Sequence, residues 1–207
     1  AMRFGNKYED AAIQVYSDTN NIEVHEFGMV RHPEHRFFGA SPDGITENNV
    51  MLEIKCVSGR EITGIPPLHY YLQMQLQLEC CGFERVDFEE CKFIEYKSGK
   101  DYDADKHKTE LKFTKDGRYK GIIFSAIYGN DLNKEKHIYA PLGMTYEESV
   151  PWKRECFDTL HDVDSEWRSP KIAYWYLDHV SCVPVFRDRK LFEHYLPRCR
   201  AEWEIVE

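Results

Sequence analysis

The sequence contains no apolar run that approaches the roughly 20 residues needed by a membrane-spanning helix. Its first residues, Ala1-Met2-Arg3-Phe4, lack the charged-then-apolar pattern of a signal peptide, and Ala1-Met2 has the character of a cloning remnant. Internal repeats and low-complexity tracts are also absent. We therefore expect an intracellular protein, in the cytoplasm or nucleus, with no membrane partner.

Paired cysteine motifs are absent as well. The seven cysteines are an odd number, and the chain has enough hydrophobic residues, 42%, to fold without disulfides, so we expect reduced thiols. An iron-sulfur cluster requires closely spaced cysteines, whereas Cys156, Cys182 and Cys199 are far apart and no C-x-x-C occurs. The cysteine pattern therefore argues against such a cluster.

Basic residues are outnumbered, since 27 Lys and Arg face 36 Asp and Glu, for a net charge of -9. This balance opposes binding to a polyanion, although a metal site needs clustered carboxylates and its ion would add local positive charge. Two basic stretches are typical of solvated faces, with nucleic-acid contact as the alternative. They contain Lys112, Lys115, Arg118 and Lys120 in one case, and Arg187, Arg189, Lys190, Arg198 and Arg200 in the other.

The length favours one domain over residues 1–207, with a core at about 5–96, a charged excursion at about 97–120 and C-terminal strands and helices over 121–207. Hydrophobic periodicity predicts helices over 6–16, 68–81, 144–167 and 189–206. Strands are predicted over 22–30, 36–40, 50–57, 86–96, 121–128 and 137–140, with one strand or a strand pair over 171–187. This order indicates an α/β or α+β domain with a mixed central sheet flanked by helices.

Two of these predictions depend on local turn chemistry. The strands over 22–30 and 36–40 are predicted to form a hairpin around His32-Pro33-Glu34-His35. The segment 73–79 alternates polar and apolar residues as a strand would, but Pro66-Pro67 before it and Gly82 after it favour a helix.

The candidate catalytic residues are Asp43, Glu53 and Lys55. Glu53 and Lys55 are two residues apart on a predicted strand, so they share one face, while Leu52 and Ile54 point to the opposite, buried face. Asp43 lies in a Pro-Asp-Gly turn, from which its carboxylate could reach the next strand. Two converging carboxylates are best kept ionised by a divalent cation.

Mg²⁺ or Mn²⁺ suits such oxygen ligands, and the backbone carbonyl of Ile54 could add one more. Lys55 could orient or help deprotonate a water nucleophile, and could balance negative charge on phosphorus. These parts suit hydrolysis of a phosphodiester. The pattern also arises by chance, and most E-x-K pairs on strands are surface salt bridges.

Four ordered blocks resemble the phage lambda exonuclease and YqaJ-like viral recombinase nucleases of the PD-(D/E)XK superfamily. Gly5-Asn6-Lys7-Tyr8-Glu9-Asp10-Ala11-Ala12 is similar to a G-x-x-x-E-x-x-A helix, and Ser41-Pro42-Asp43-Gly44 to the S-P-D-G turn. Leu52-Glu53-Ile54-Lys55-Cys56 is similar to the L-E-x-K-C strand. Ile65-Pro66, Tyr70 and Gln73-Met74-Gln75 resemble the I-P-x-x-Y-x-x-Q-x-Q helix.

The resemblance implies a restriction-endonuclease-like fold and a role for each matching residue. Asp43, Glu53 and the Ile54 carbonyl would be metal ligands, Lys55 the water-activating lysine, and Glu9 a further acidic group near two Mg²⁺ or Mn²⁺ ions. Gln73 would be the helix glutamine that faces the site, and Ser41, Tyr70 and Gln73 would contact DNA.

Each of these roles has a plainer alternative. Glu9 could be a solvated helix residue, because exposed Glu is the ordinary case. Gln73 could belong to an alternating surface run together with Gln75 and Gln77. Ser41 and Tyr70 could merely shape the loop.

The activity implied is exonucleolytic digestion of linear duplex DNA in viral or phage-type recombination or genome processing. Alternatives are an endonuclease acting on DNA or RNA with the same metal centre, and an inactive nucleic-acid-binding module. A single-strand annealing protein and further copies of the chain are possible partners.

Two differences from the family limit which of its properties the resemblance implies for this chain. Phage-type members have a segment before the first block that contains an arginine binding the DNA 5′ phosphate, so a pocket for that phosphate, and with it strand polarity, is not implied here. Beyond Gly82 the likeness to the phage enzyme fades. The tail then loosely resembles members from large DNA viruses, in Trp175-Tyr176-Leu177, Val185-Phe186-Arg187-Asp188 and Trp203.

Overall fold

The computed structural model describes residues 2–206. The helices are α1 (Met2–Asn20), α2 (Leu68–Cys81), α3 (Gly99–Ala104), α4 (Tyr146–Val163) and α5 (Arg189–Val206). The strands are β1 (Val24–His25), β2 (Val30–Arg31), β3 (Gly39–Ala40), β4 (Gly44–Thr46), β5 (Met51–Cys56), β6 (Arg85–Glu95), β7 (Lys120–Tyr128), β8 (Asp131–Tyr139) and β9 (Trp167–Phe186). The predicted class, a mixed sheet with flanking helices, is confirmed.

These elements divide between two compact units. The first unit comprises the residues up to Val15 together with Lys92–His179, and the second comprises Tyr16–Cys91 together with the residues from Val180 onward. The single domain predicted over residues 1–207 stays a prediction. Within residues 2–206, no helix combines the length and the apolar character that crossing a bilayer requires.

In the second unit the strand order is β1-β4-β5-β6. β4 is antiparallel to its neighbours β1 and β5, whereas β5 runs parallel to β6. A parallel pair needs a crossover connection, and α2 supplies it. Its apolar side packs on the sheet through Met74 and Leu78, which contact Met51, Val86 and Phe88.

In the first unit β7 lies between β9 and β8 and is antiparallel to both. Two clusters of buried side chains cover these strands. Phe124 and Ala126 pack with Cys156 and Leu160 of α4. Tyr102 of α3 packs with Ile122 and Ala140, which lie on β7 and just after β8.

The N-terminal hairpin is much shorter than predicted. Only β2 and β3 pair around His32–His35, with two residues each, and the segment predicted as one strand over 22–30 is interrupted between β1 and β2. β1 instead pairs with β4, a strand that the prediction missed. The side chain of His32 stabilises the turn, because its Nδ1 accepts hydrogen bonds from the backbone N–H groups of Glu34 and His35, both at 3.1 Å.

Other element boundaries also differ from the predicted ones. The predicted excursion over 97–120 contains α3, whose N-cap Ser98 accepts a hydrogen bond from the backbone N–H of Asp101. The segment 171–187 forms one long strand rather than a pair, β8 starts six residues earlier than predicted, and α1 is longer at both ends. By contrast, α2 begins and ends as predicted, with Gly82 as a left-handed C-cap at φ 72°.

Candidate active site

Glu53 lies at the centre of β5 and is completely buried, at 0% exposed. Its neighbours Met51, Leu52 and Ile54 are buried as well. Leu52 and Ile54 were predicted to lie on the buried face opposite Glu53, and the structure buries Glu53 on its own face as well. The reason is tertiary, because α2 crosses over the face of the sheet that carries Glu53.

Three nitrogen donors converge on the Glu53 carboxylate. Lys55 Nζ and Gln73 Nε2 both donate to Oε1, the latter at 2.7 Å. Gln77 Nε2 donates to Oε2 at 2.8 Å. A buried carboxylate is costly unless it is paired and hydrogen-bonded, and here both oxygens are satisfied. The lysine and two glutamine amides therefore stabilise one charged oxygen pair in the interior.

Gln73 and Gln77 lie on the same side of α2 because residues four apart on a helix are neighbours. Gln73 is exposed, whereas Gln77 is buried. Gln77 was not among the predicted site residues. The signal that could have found it is its i+4 spacing from Gln73, which places a second amide one turn further along the same face.

Asp43 reaches β5 from the turn that precedes β4. Its Oδ2 accepts a hydrogen bond from the backbone N–H of Ile54 at 2.6 Å. The antiparallel pairing of Gly44 with Leu52 brings this turn beside the middle of β5. Gly44 is required there, since a Cβ at this position would lie 2.5 Å from Cγ1 of Val24.

Ser41 and Tyr70, two of the residues predicted to contact DNA, contact the Glu53 cluster in different ways. The backbone carbonyl of Ser41 accepts a hydrogen bond from Gln77 Nε2 at 3.4 Å, so it is the main chain of Ser41 that contacts the cluster. The ring centroid of Tyr70 lies 5.2 Å from Lys55 Nζ, within reach of a cation–π interaction. Tyr70 also packs against Phe88 of β6.

Lys55 is held in its charged form. Burial lowers its pKa, but the negative charges of Glu53 and Asp43 and the hydrogen bond to Glu53 raise it by more, so the pKa is raised overall. The ammonium group also donates to the backbone carbonyl of Ile54 at 3.2 Å. At neutral pH this geometry favours a positive charge at Lys55, and its role as the water-activating lysine stays a prediction.

The oxygen atoms suited to a hard cation are the Asp43 and Glu53 carboxylates and the Ile54 carbonyl. Within the part of the chain that the structure describes, no group of three or more His, Cys, Asp or Glu side chains is arranged to hold a metal ion. Oε1 of Gln77 is buried and has no hydrogen-bond partner among the described residues. A cation here would therefore take its ligands from two carboxylates, a carbonyl and water.

Glu9 belongs to the first unit, whereas Asp43, Glu53, Lys55 and Gln73 all belong to the second. Glu9 is half-buried on α1. Its role as a further acidic group near the metals stays a prediction.

The two basic stretches are largely neutralised by acidic partners. Arg118 pairs with Asp116 and Asp178, and Arg198 with Glu202. Lys120 does not lie on a solvated face, because it is buried at 2% exposed, and its Nζ donates to the backbone carbonyls of Tyr102 and Asp105. These residues therefore do not form a broad basic surface.

Residues 1–84 match the model of the YqaJ-like viral recombinase domain. The predicted resemblance to that family is confirmed. The matched residues include Glu9, the turn with Asp43, the β5 strand with Glu53 and Lys55, and α2. All the residues that meet at Glu53 therefore lie within the YqaJ-like region.

One similar curated protein is "Uncharacterized protein R354" of Acanthamoeba polyphaga mimivirus, which is 32% identical over 233 aligned residues. The alignment covers 98% of this chain but 42% of that protein, so the chain spans less than half the length of this relative.

Two solved structures of the alkaline exonuclease LHK-Exo from Laribacter hongkongensis are also similar, each at 34% identity over 44% of this chain. The first gives a TM-score of 0.41 and covers 50% of the bacterial chain. The second, a complex with dAMP, gives a TM-score of 0.40 and covers 49%.

Proposed function

We propose that the second unit carries the active centre of a metal-dependent nuclease that hydrolyses phosphodiester bonds of DNA. Its proposed substrate is the end of linear duplex DNA, in viral recombination or genome processing. The observation that carries this proposal is the buried Glu53 carboxylate, which meets Lys55, Gln73 and Gln77 beside the Asp43 turn. The match to the YqaJ-like viral recombinase domain supports it.

The Glu53 cluster has an energetic cost, because it keeps a charged carboxylate away from water. A leucine at position 53 would place no desolvated charge in the interior, whereas a buried ion pair often contributes nothing net to stability. A buried carboxylate held by an ammonium and two amides is therefore better explained by chemistry than by folding.

Asp43, Glu53 and the Ile54 carbonyl would hold Mg²⁺ or Mn²⁺, which prefers such oxygen ligands. The unpartnered Oε1 of Gln77 supports this fit, since a buried acceptor next to a cation site could accept a hydrogen bond from a water on the ion. When bound, the ion would act as a Lewis acid and lower the pKa of a water nucleophile. A second ion, with Glu9 as a further ligand, is a finer prediction from the family resemblance.

The chain's own residues then have separate tasks. Lys55, charged at neutral pH, would donate a hydrogen bond and stabilise the negative charge that develops on the phosphoryl oxygens. Gln73 and Gln77 would fix the rotamer of Glu53, so that its oxygens keep their orientation when the substrate enters. Asp43 would be held by its bond to the Ile54 N–H.

A cleavage assay tests the proposal. The protein is incubated with end-labelled linear and closed circular duplex DNA, with Mg²⁺, with Mn²⁺ or with EDTA. We expect metal-dependent loss of the linear DNA only, and a fall of at least about 100-fold in rate for Asp43→Asn and Lys55→Ala, in line with loss of groups that stabilise developing charge. Asn at position 43 keeps an oxygen for the Ile54 N–H, so the turn should persist.

The matched control is Asp87→Asn. Asp87 is also a buried carboxylate of the second unit, but it bonds Tyr16 and Arg85 and is not part of the Glu53 cluster. Its variant should lose stability and keep the cleavage rate of the folded protein. Equal losses of rate in Asp43→Asn and Asp87→Asn would refute the assignment of the site.

Metal binding has an independent readout. Adding Mn²⁺ to the wild-type protein should raise Tm, because a ligand that binds only the folded state stabilises it. The increase should vanish in Asp43→Asn and persist in Asp87→Asn. No increase in the wild-type protein would argue against a metal at this site.

The alternatives give different products. An endonuclease would nick or linearise the closed circle, and a nuclease for RNA would cleave a labelled RNA faster than DNA. An inactive binding module would retain both DNA forms under all metal conditions. Any of these outcomes would replace the exonuclease proposal.

A further inference from the structure

The helix α2 carries polar side chains on two of its sides. Successive residues of a helix are about 100° apart around its axis. Gln73 and Gln77 therefore lie on one side and Gln75 and Glu79 on another, with the apolar side that packs on the sheet between them. Gln75 is 3% exposed and Glu79 is 7% exposed. α2 thus has a second pair of buried polar side chains, in addition to the pair that bonds Glu53.

This second pair bonds three consecutive residues at the end of β9. Nε2 of Gln75 donates to the backbone carbonyl of Phe186 at 2.9 Å, and its Oε1 accepts a hydrogen bond from the backbone N–H of Asp188 at 2.6 Å. Glu79 accepts two bonds from Arg187, one from Nε at 2.8 Å and one from Nη2. Residues 186–188, here called the α2 clamp, therefore hold one side of α2 at two points one helical turn apart.

The α2 clamp is itself fixed to neighbouring elements. The backbone N–H of Arg187 donates to the carbonyl of Glu84 at 3.0 Å, just before β6 begins. Oδ1 of Asp188 accepts a hydrogen bond at 3.1 Å from the backbone N–H of Leu191, in the first turn of α5. Val185, next to the clamp, is buried in the same core cluster as the apolar side of α2. The clamp therefore connects α2 to β6, β9 and α5.

The pair of Arg187 with Glu79 is largely removed from water. The side chains of Arg187 and Glu79 are 13% and 7% exposed. A buried pair of this kind often contributes nothing net to stability when it is compared with apolar residues of similar volume. Its bidentate geometry instead fixes the relative orientation of the two groups as well as their distance. Together with the bonds of Gln75, the pair defines how α2 is rotated about its own axis.

The rotation of α2 decides whether its other polar side reaches Glu53. A rotation of about 10° would move an atom about 6 Å from the helix axis by about 1 Å. The bonds from Gln73 and Gln77 to Glu53 are 2.7 and 2.8 Å long, so a shift of that size would break them. A misplacement of about 1 Å in an active site can cost about 100-fold in rate.

We propose that Gln75 and Arg187 are positioning residues of the candidate site. Through the α2 clamp they fix the rotation of α2, and with it the two amides that orient the Glu53 carboxylate. Neither residue contacts the DNA or the reacting atoms in this arrangement, so their loss lowers kcat and leaves KM for DNA nearly unchanged. This inference rests on the proposed nuclease function.

Gln75→Met tests the proposal with little change in side-chain volume. The variant loses both bonds to the α2 clamp and keeps the apolar part of the side chain. We expect kcat for cleavage of linear duplex DNA to fall about tenfold, a part of the loss that a full misplacement would cause. KM should stay close to that of the wild type, with both proteins assayed well below their Tm. A wild-type kcat, or a change confined to KM, would overturn the proposal.

A double-mutant cycle separates positioning from a general loss of stability. If Gln75 acts through the two amides that bond Glu53, its effect on kcat must disappear once these amides are removed. We expect equal kcat for Gln73→Ala/Gln77→Ala and for the triple variant that also carries Gln75→Met. The triple variant should nevertheless melt at a lower temperature than the double variant. An undiminished loss of kcat in the triple variant would contradict the route through the glutamines.

Arg187 is tested with a conservative variant and a matched control. Arg187→Ala leaves Glu79 buried without its counter-charge, whereas Arg187→Lys keeps the charge and should recover part of the kcat that Arg187→Ala loses. The control is Arg85→Ala. Arg85 likewise donates two bonds to a buried carboxylate of the second unit, Asp87, which bonds Tyr16 on α1. This variant should lose stability and keep kcat, and an equal fall of kcat in Arg85→Ala and Arg187→Ala would refute a specific role of Arg187.

The side-chain amide groups of Gln73 and Gln77 give a readout that requires no cleavage. Because they donate to a carboxylate, we expect their NMR signals downfield of those of free glutamine amides. Gln75→Met should move both signals toward the free positions, whereas Arg85→Ala should leave them in place. Unmoved signals in Gln75→Met would show that the α2 clamp does not position these amides.

Failure of this inference can be told from failure of the proposed function. If the wild-type protein cleaves DNA while Gln75→Met keeps the wild-type kcat and amide signals, the inference is wrong and the nuclease assignment stands. If the wild-type protein cleaves no nucleic acid, the proposed function is wrong. The amide signals alone then decide whether the α2 clamp positions the donors of Glu53.

Discussion

Gln77, on α2, donates a hydrogen bond from its Nε2 to Oε2 of Glu53 at 2.8 Å. The other oxygen of Glu53 has two donors, Lys55 and Gln73. The two glutamines are therefore not equivalent. Loss of Gln77 leaves a buried oxygen without its side-chain donor, whereas loss of Gln73 leaves Lys55 in place.

This difference predicts separate effects on stability. Gln77→Ala should lower the free energy of unfolding by about 2 kcal/mol, the cost of an unsatisfied buried acceptor. Gln73→Ala should cost less than about 1 kcal/mol, since Gln73 is exposed and Oε1 of Glu53 keeps Lys55 as a donor. Urea unfolding of both variants checks this, and equal losses would contradict the assigned bonding pattern.

A second prediction concerns the coupling of Lys55 with Glu53. Lys55→Met leaves the buried Glu53 carboxylate without its counter-charge, and we expect a loss of about 3 kcal/mol in stability. The double variant Glu53→Gln/Lys55→Met removes the uncompensated charge and should recover much of that loss. Chemical denaturation of the two single variants and the double variant measures the coupling free energy, and simple additivity would argue against the ion pair.

A third prediction concerns pH. Burial raises the pKa of Glu89 to about 7, with a further rise from Asp87 and an opposing effect of the Cys91 thiol. Because the ordinary value is 4.5, the folded protein keeps a proton that the unfolded chain releases in this window. The contribution of Glu89 to stability is therefore fully present below pH 4.5 and is lost as the pH rises through 7.

Glu89→Gln should remove this pH dependence of the stability. The Tm of the variant relative to the wild type should increase between pH 4.5 and pH 8, and thermal melts across that range measure it. Glu47→Gln, at an exposed turn position, controls for the removal of one carboxylate. A constant difference for Glu89→Gln would show that Glu89 titrates at its ordinary pH.

A fourth prediction separates stability from DNA binding in the basic stretch near residue 120. Lys120→Met removes the donor to the carbonyls of Tyr102 and Asp105, at 2.7 and 2.5 Å, and should cost about 2 kcal/mol of stability. The salt dependence of DNA binding should not change, because this lysine is buried. Lys115→Met, at an exposed neighbour, is the control for stability. A reduced salt slope in Lys120→Met would indicate a phosphate contact instead.

Where local signals were strong, the fold was predictable. Pro67 and Gly82 mark the start and the end of α2, and the β-branched and apolar run before Val57 marks β5. The strands of two or three residues, β1 to β4, were predictable only in part. Such short strands have little periodicity of their own, and pairing between distant segments decides where they begin and end.

The candidate site likewise has residues that the sequence predicted and contacts that only the structure revealed. Asp43, Glu53 and Lys55 could be named from motif spacing and Gln73 from the family resemblance, and the structure brings these four together in the second unit. The i+4 spacing from Gln73 could also have named Gln77, but its bond to Glu53 depends on packing between α2 and β5 that spacing does not encode.

The sequence by itself determined the identity and order of the chemical groups: a carboxylate in a turn, an E-x-K strand, and a helix with glutamines bounded by proline and glycine. Only the tertiary structure decided that Glu53 is fully buried and that two glutamines rather than one bond it. The physical reason is that burial and charge pairing arise from packing between segments distant in the chain, whereas periodicity and turn chemistry arise within a few residues.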